Sequence, residues 1–352
     1  MHRAGLLVLL VACGRGSAPV DPAVLTEGER AALATMSPLP PTPKDPTNAV
    51  ADDPKAATLG QMLFFDEDIA AEPGISCSTC HAGPAMDDMG KHVSRGVKVG
   101  TRNSPPVINS VFYKSINWGG KFATQWALVI GALEKHDVMA AKRANVIEVV
   151  KTQYRAEYEA VFGPIDARTV DDAFVDIAKS VAAYMRLLVA RNAPFDRWIA
   201  GDEAAISTAA KRGAKLFVAH CKVCHDGPHF TNDKFHALAV AQFGEGVPAE
   251  DLGRFGDVPE AARTPEMRGQ FRTPTLRNVE VTGPYMHAGQ FATLDAVMAF
   301  YNAGGGSVAG IVKDPEMKKL GLTKEQQADL VEFMKALTDV TVPPALRANT
   351  AR

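Results

Sequence analysis

Two short strings in this 352-residue chain limit its fold more than anything else: Cys77-Ser78-Thr79-Cys80-His81 and Cys221-Lys222-Val223-Cys224-His225. Cys-x-x-Cys-His is the attachment motif of c-type haem. Its two thiols add to the two vinyl groups of the macrocycle, and the adjacent histidine supplies the proximal imidazole. At this chain's cysteine and histidine frequencies, a chance match is expected in about one chain in five hundred, so two are not accidental. Other uses of paired cysteines fit worse. A closed zinc tetrahedron would gather four Cys or His ligands and leave the histidine after each pair unexplained. A thioredoxin-like pair needs a βαβ setting, and local disulfides would ignore both histidines. Two covalent haems are therefore expected, one at Cys77, Cys80 and His81 and one at Cys221, Cys224 and His225, with His81 and His225 on the irons.

Around the motifs the chain reads as helix and loop. Leu59, Met62 and Leu63 have helical spacing just before the first motif. Gly83 to Pro106 holds Gly, Pro, Asp and Asn without periodicity. Loops that long in a compact domain tend to be functional. Helices are expected over residues 122–133, 145–162 and 170–188, with Gly163-Pro164 separating the last two. Near residues 192–202 the chain passes to a second unit, where 206–217 is a helix running into the second motif. A polar Gly/Pro loop over 244–269 precedes the last helices, 293–301 and 323–337. No strand pattern stands out. The order of helix, motif and loop occurs twice, and two copies at this spacing do not stack as a solenoid. The expected class is all-α, with two cytochrome c-like haem domains in tandem over residues 49–200 and 201–345.

The N-terminus reads as an export signal. Met1-His2-Arg3 is positive, and Ala4 to Ala12 is apolar but too short to span a bilayer. Leu10-Val11-Ala12-Cys13 resembles the lipobox of bacterial lipoproteins. That implies a signal peptide over residues 1–12, cleavage before Cys13, and a lipid on its sulfur and new amino group. The alternative is a plain secretory signal with an incidental cysteine. Either way the expected compartment is the periplasm. No other segment has about 18 consecutive apolar residues, so the lipid is the only membrane contact expected. Residues 13–48, rich in Pro, Ala, Thr and Ser, read as a flexible tether. A net charge of −2 argues against a nucleic-acid partner. A homodimer is one of the oligomeric states left open.

Six segments then carry a resemblance: Leu59 to Asp66, Ile75 to His81, Gly100 to Phe112, Cys221 to Thr231, Arg272 to Phe291 and Thr293 to Gly305. As a set they resemble the dihaem cytochrome c peroxidase family, including its MauG-like branch. The resemblance implies that the N-terminal haem is peroxidatic and that the C-terminal haem receives electrons from a small donor. It implies that Trp118, at the family's W-D-G-R tryptophan, relays electrons between them. It also implies a calcium ion between the domains, held by Asn103 and the carbonyls of Thr282 and Pro284, an oxygen set suited to a hard cation.

The remaining ligand positions depart from the peroxidase pattern. A gap-free count from His287 puts the family's distal Met of the C-terminal haem on Tyr301, as in MauG-like proteins. Met298, one helical turn earlier, is the competing ligand. His92 lies on the loop where the family has a displaceable distal His, but not at the usual offset, to which Arg95 is nearer; an open iron position is the alternative. The peroxidase Gln and Glu positions read Leu128 and Val138. Gln125 and Glu134 lie about a turn earlier, and Glu134, His136 and Asp137 are the candidates for moving the peroxide proton.

The leading expectation is reduction of hydrogen peroxide to water, with electrons from a cytochrome c or cupredoxin. The rival is a MauG-like enzyme that uses high-valent iron to oxidise a partner protein, favoured by Tyr301 and the missing Gln/Glu pattern. A third reading is pure electron transfer with both irons six-coordinate, which a high-spin ferric band would exclude.

Overall fold

The computed structural model describes residues 23–244 and 247–352. The expected signal peptide and Cys13 lie outside the described residues.

The stretch read as a tether is packed chain from residue 23 onward. It holds helix α1 (Glu27–Ala34), opened by a capping box between Thr26 and Glu29. Leu25, Leu33 and Met36 are buried in the core of the C-terminal domain. Three apolar side chains with a core to cover outweigh a Pro- and Thr-rich composition.

The N-terminal domain comprises α2 (Pro54–Phe65), the single turn α3 (Cys77–Cys80), α4 (Gln125–Glu134), α5 (Arg143–Gln153), α6 (Arg155–Phe162) and α7 (Val170–Met185). The C-terminal domain comprises α8 (Pro194–Ile199), α9 (Thr208–His220), α10 (Arg254–Asp257), α11 (Leu294–Asn302) and α12 (Lys324–Lys335). Two expectations need correction. The single helix over 145–162 is two, broken at Tyr154 (φ −126°, ψ 18°), whose fully buried ring redirects the chain without any Gly or Pro. There is also a small sheet: β1 (Phe235–Ala237) pairs antiparallel with β2 (Gln270–Arg272). Strands of three residues are too short to show alternation.

The two domains repeat one packing device. The helix leading into each motif crosses the last helix of its domain at a glycine. A Cβ on Gly60 of α2 would lie 1.9 Å from the Ser180 carbonyl oxygen of α7, and one on Gly213 of α9 would lie 1.9 Å from the Asp329 oxygen of α12. Alanine is the better helix former by about 1 kcal/mol, but no side chain fits there unless the helices part. Gly213→Ala is therefore expected to destabilise the protein by about 1–3 kcal/mol. An unchanged midpoint in denaturant would show that the helices separate freely.

The cores divide before Phe195, which with Trp198 belongs to the second, so α8 sits with the C-terminal domain. The chain ends cross over. Residues 25–36 cover the C-terminal domain, while Val342 enters the first core. Arg347 donates to the carbonyls of Gly83 and Pro84, each at 2.9 Å, and so pins the loop after the first motif. Between the domains, Arg102 forms a two-pronged ion pair with Asp251, both bonds 2.7 Å, and a third bond to Asp257 at 2.6 Å.

Candidate haem sites

Each motif sits in a helical turn: α3 at the first, and at the second a turn closed by the His225 N–H on the Cys221 carbonyl at 3.0 Å. In both, the His Nδ1 lies 3.0 Å from the backbone carbonyl five residues on, Met86 for His81 and Phe230 for His225. A carbonyl can only accept, so Nδ1 carries the proton and Nε2 keeps the lone pair a metal needs. Met86 and Phe230 share the same left-handed backbone, φ 55° and 53°. Burial lowers the pKa of both histidines to about 4, so the rings are neutral at neutral pH. Burial also pushes the Cys77 and Cys221 thiols up to about 12 and Cys224 to about 11. These are settings for uncharged sulfur. They suit thioethers and oppose a thiolate metal centre.

A large cavity opens beside Cys221, Cys224 and His225, with apolar walls from Leu276, Val297, Leu330 and Met334. An apolar, concave space beside two neutral sulfurs and a free imidazole nitrogen fits a c-type haem. Met298 and Tyr301 of α11, the two rival distal ligands, line the same cavity. Met298 is packed into the second core, only 4% exposed. Burial and the nearby Cys224 and Cys221 raise the Tyr301 phenol above its ordinary pKa.

Trp118 lines this cavity too and belongs to both domains. Its indole N–H donates to the Asn103 carbonyl at 2.8 Å, and its own carbonyl accepts the Arg272 N–H at 2.7 Å. Asn103, Thr282 and Pro284, the expected calcium ligands, lie along the same cavity wall. The Asn103 Nδ2 donates to the Lys91 carbonyl at 3.0 Å.

Other candidates are placed elsewhere. The carboxylate of Glu134 lies at the surface and is held by Arg143 at 2.6 Å. His136 is exposed, and Asp137 pairs with Lys135 at 3.1 Å. Gln125 is buried, but its amide donates to the Ser110 hydroxyl at 2.9 Å. α4 ends at Glu134, so Lys135 and His136 stand at the surface instead of continuing a helical face, and the chain returns to the core at Met139. His92 is exposed and reaches across the domain boundary, its Nδ1 2.6 Å from the Gly289 carbonyl. Gly289 is left-handed (φ 64°), and a Cβ there would lie 2.6 Å from His92 Cα, so only glycine permits this approach.

Comparison with known proteins decides the family. The family described as di-haem cytochrome c peroxidase matches residues 54–204, and cytochrome c matches residues 210–338. The cytochrome-c peroxidase IdrP1 of Denitromonas iodatirespirans is 35% identical over 335 residues, 86% of each chain. The chain belongs to the di-haem cytochrome c peroxidase family. The methylamine utilization protein MauG of Methylophilus methylotrophus is 33% identical over 297 residues, covering 80% of this chain and 82% of that one. A solved MauG-like protein associated with microbial copper homeostasis superposes with a TM-score of 0.76 at 25% identity, covering 89% of this chain and 97% of its own. As a member of this oxidoreductase family the chain carries two c-type haems in tandem cytochrome c-type domains.

Three residues at the boundary of this di-haem protein had no role in the sequence reading. Arg102 fastens the domains, Arg272 lies over the Tyr113 ring at 3.5 Å, and His229 sits 4.7 Å from the same ring. Arg102, Arg272 and His229 all fall within segments that carry the family resemblance, but nothing in a linear string marks a contact with another domain.

Proposed function

We propose that this enzyme reduces hydrogen peroxide to water at the haem held by Cys77, Cys80 and His81. Single electrons come from a small cytochrome c or cupredoxin, enter at the haem held by Cys221, Cys224 and His225, and cross by way of Trp118. The observation that carries the reading is the placement of Trp118, hydrogen-bonded to the N-terminal domain through its indole and to the C-terminal domain through its backbone. The haems supply the redox chemistry, while the protein sets ligands, polarity and access. His81 and His225 would hold the irons, each ring aimed by its Nδ1 bond to a backbone carbonyl. Asn103, Thr282 and Pro284 would hold calcium where the two domains meet. The apolar run before Cys13 supports a periplasmic protein anchored there by lipid.

A second reading is oxidation of a partner protein. It is favoured by Tyr301 beside the second motif, by Leu128 and Val138 at the peroxidase Gln and Glu positions, and by the similarity to MauG. Steady-state peroxide turnover with reduced cytochrome c or cupredoxin separates the two. Rapid donor oxidation supports the peroxidase. Peroxide consumption that begins only when a protein substrate is added supports the partner reading.

Trp118→Phe keeps an aromatic ring but loses the indole N–H. We expect it to slow electron transfer between the haems by on the order of tenfold, about 1.4 kcal/mol in the barrier, with both haem spectra unchanged. Stopped-flow reoxidation of the two haems measures this. An unchanged rate would reassign Trp118 to packing.

A further inference from the structure

Trp118 sits on a tight turn of the N-terminal domain. Ile116 and Phe122 close its base with backbone bonds of 2.8 and 3.3 Å, and the Gly120 N–H donates to the Asn117 carbonyl at 3.2 Å. Those bonds are local and do not fix the turn against the second domain. Side chains that neither the haem motifs nor the proposed electron route uses do so. Arg254, the first residue of α10, donates to the Gly119 carbonyl at 3.1 Å. Its guanidinium lies over the Phe235 ring, 3.8 Å from the centroid. A Cβ on Gly120 would lie 2.3 Å from Phe235 Cζ, and one on Gly119 would lie 1.9 Å from a carboxylate oxygen of Asp257. The tip of the turn is two glycines because the C-terminal domain occupies the space a side chain would take.

The grip comes from one small unit. Gly253, just before α10, bridges to Gln270 of β2, and a Cβ there would lie 2.4 Å from the Gln270 carbonyl oxygen. β2 pairs with β1, which carries Phe235. Asp257, at the end of α10, is held by Arg102 at 2.6 Å. An arginine keeps its charge at any ordinary pH, and among the described residues no carboxylate pairs with that of Arg254. Its cation goes to the ring and to the turn, as a cation–π contact and a charge-assisted hydrogen bond.

We propose that Arg254, set by the Phe235 ring, is a positioning residue for Trp118. It holds the Gly119–Gly120 turn so that the indole keeps one place on the wall of the cavity beside the second motif. The inference rests on the relay role proposed for Trp118. Trp118 lines that cavity, whereas Arg254 and Phe235 do not, so their effect on electron transfer runs through the turn. A working group has to be held by its neighbours to within about 0.5 Å of its productive place. The Arg272 N–H still holds the Trp118 carbonyl at 2.7 Å when Arg254 is lost. The turn then loosens without letting go, and transfer slows without stopping.

The test is a double-mutant cycle on electron transfer between the haems of the holoprotein, read by stopped flow, with haem content checked by intact mass. Arg254→Met keeps a long side chain over Phe235 and loses the donor. It should slow the transfer several-fold with both haem spectra and both potentials unchanged. Arg254→Lys, which restores a cationic donor, should recover most of the rate. In the Trp118→Phe background Arg254→Met should have no further effect. Amide hydrogen exchange over residues 117–120 should quicken in Arg254→Met, which reads the turn without any electron transfer. An unchanged rate or unchanged exchange in Arg254→Met overturns the proposal, and so does the same loss of rate in both backgrounds. A Trp118→Phe protein that transfers at the wild-type rate overturns the relay itself.

Discussion

With Cys221 and Cys224 both replaced by alanine, the protein is expected to mature with one haem instead of two. It should also lose donor-driven peroxide turnover by on the order of a hundredfold or more, about 3 kcal/mol in activation terms. Each motif is anchored in its own core, the first packed with Leu59, Phe64 and Tyr184 and the second with Phe217, Phe230 and Phe333. Losing the second attachment should therefore spare the first domain. Activity should fall all the same, because the proposed entry point for electrons lies in the domain that is altered. Replacing Cys77 and Cys80 should remove the other haem, and with it the iron proposed as the site of peroxide reduction. Intact mass after expression with the c-type maturation machinery counts the haems, and steady-state oxidation of reduced cytochrome c measures the turnover. A double variant that still carries two haems, or one that keeps full turnover with one, would refute the assignment of roles to the two motifs.

What could be read from the linear chain follows from how local each constraint is. Haem attachment fixes two thiols and an imidazole within five consecutive residues, so both sites were visible at once. Helix starts were visible where a side chain caps its own helix: Thr169, Ser207, Thr293 and Thr323 each accept a backbone N–H within their first turn. The break at Tyr154 was not visible, because its cause is the burial of a ring and not a local breaker. The packing of α1 was hidden for a similar reason, since its core lies more than 150 residues away, around Phe195 and Phe217. The setting of Glu134 was not legible either, because its partner Arg143 lies nine residues on, beyond the end of its helix. The joint between the domains was the least legible part. The bonds of Arg102 to Asp251 and Asp257 span 149 and 155 residues, and the proximal histidines are aimed by carbonyls that every residue possesses.

Tyr301→Phe is expected to change the ferric spectrum of the C-terminal haem and raise its potential, while Met298→Leu should do little. Both side chains line the cavity beside Cys221, Cys224 and His225, so position alone does not choose between them. Their surroundings do. Met298 is already used, packed at 4% exposure among the core residues of the domain. The Tyr301 hydroxyl has no hydrogen-bond partner among the described residues, although it is held in a buried setting that raises its pKa. Tyr301 borders the cavity, so its hydroxyl is free to take up coordination there. Axial-ligand identity is one of the main levers on haem potential, with a thioether raising it. An anionic phenolate acts the other way, because it favours the more positive ferric iron. Removing the hydroxyl should therefore open that position, shift the ferric bands and raise the potential. Met298→Leu keeps volume and apolar character, so it should cost less than about 1.5 kcal/mol in stability and leave the spectrum alone. Redox titration and ferric absorption spectra of the two variants, compared side by side, decide the matter. A methionine–iron charge-transfer band present in the wild type and lost only in Met298→Leu would overturn the Tyr301 assignment. It would also remove one of the observations favouring oxidation of a partner protein, leaving the peroxidase reading stronger.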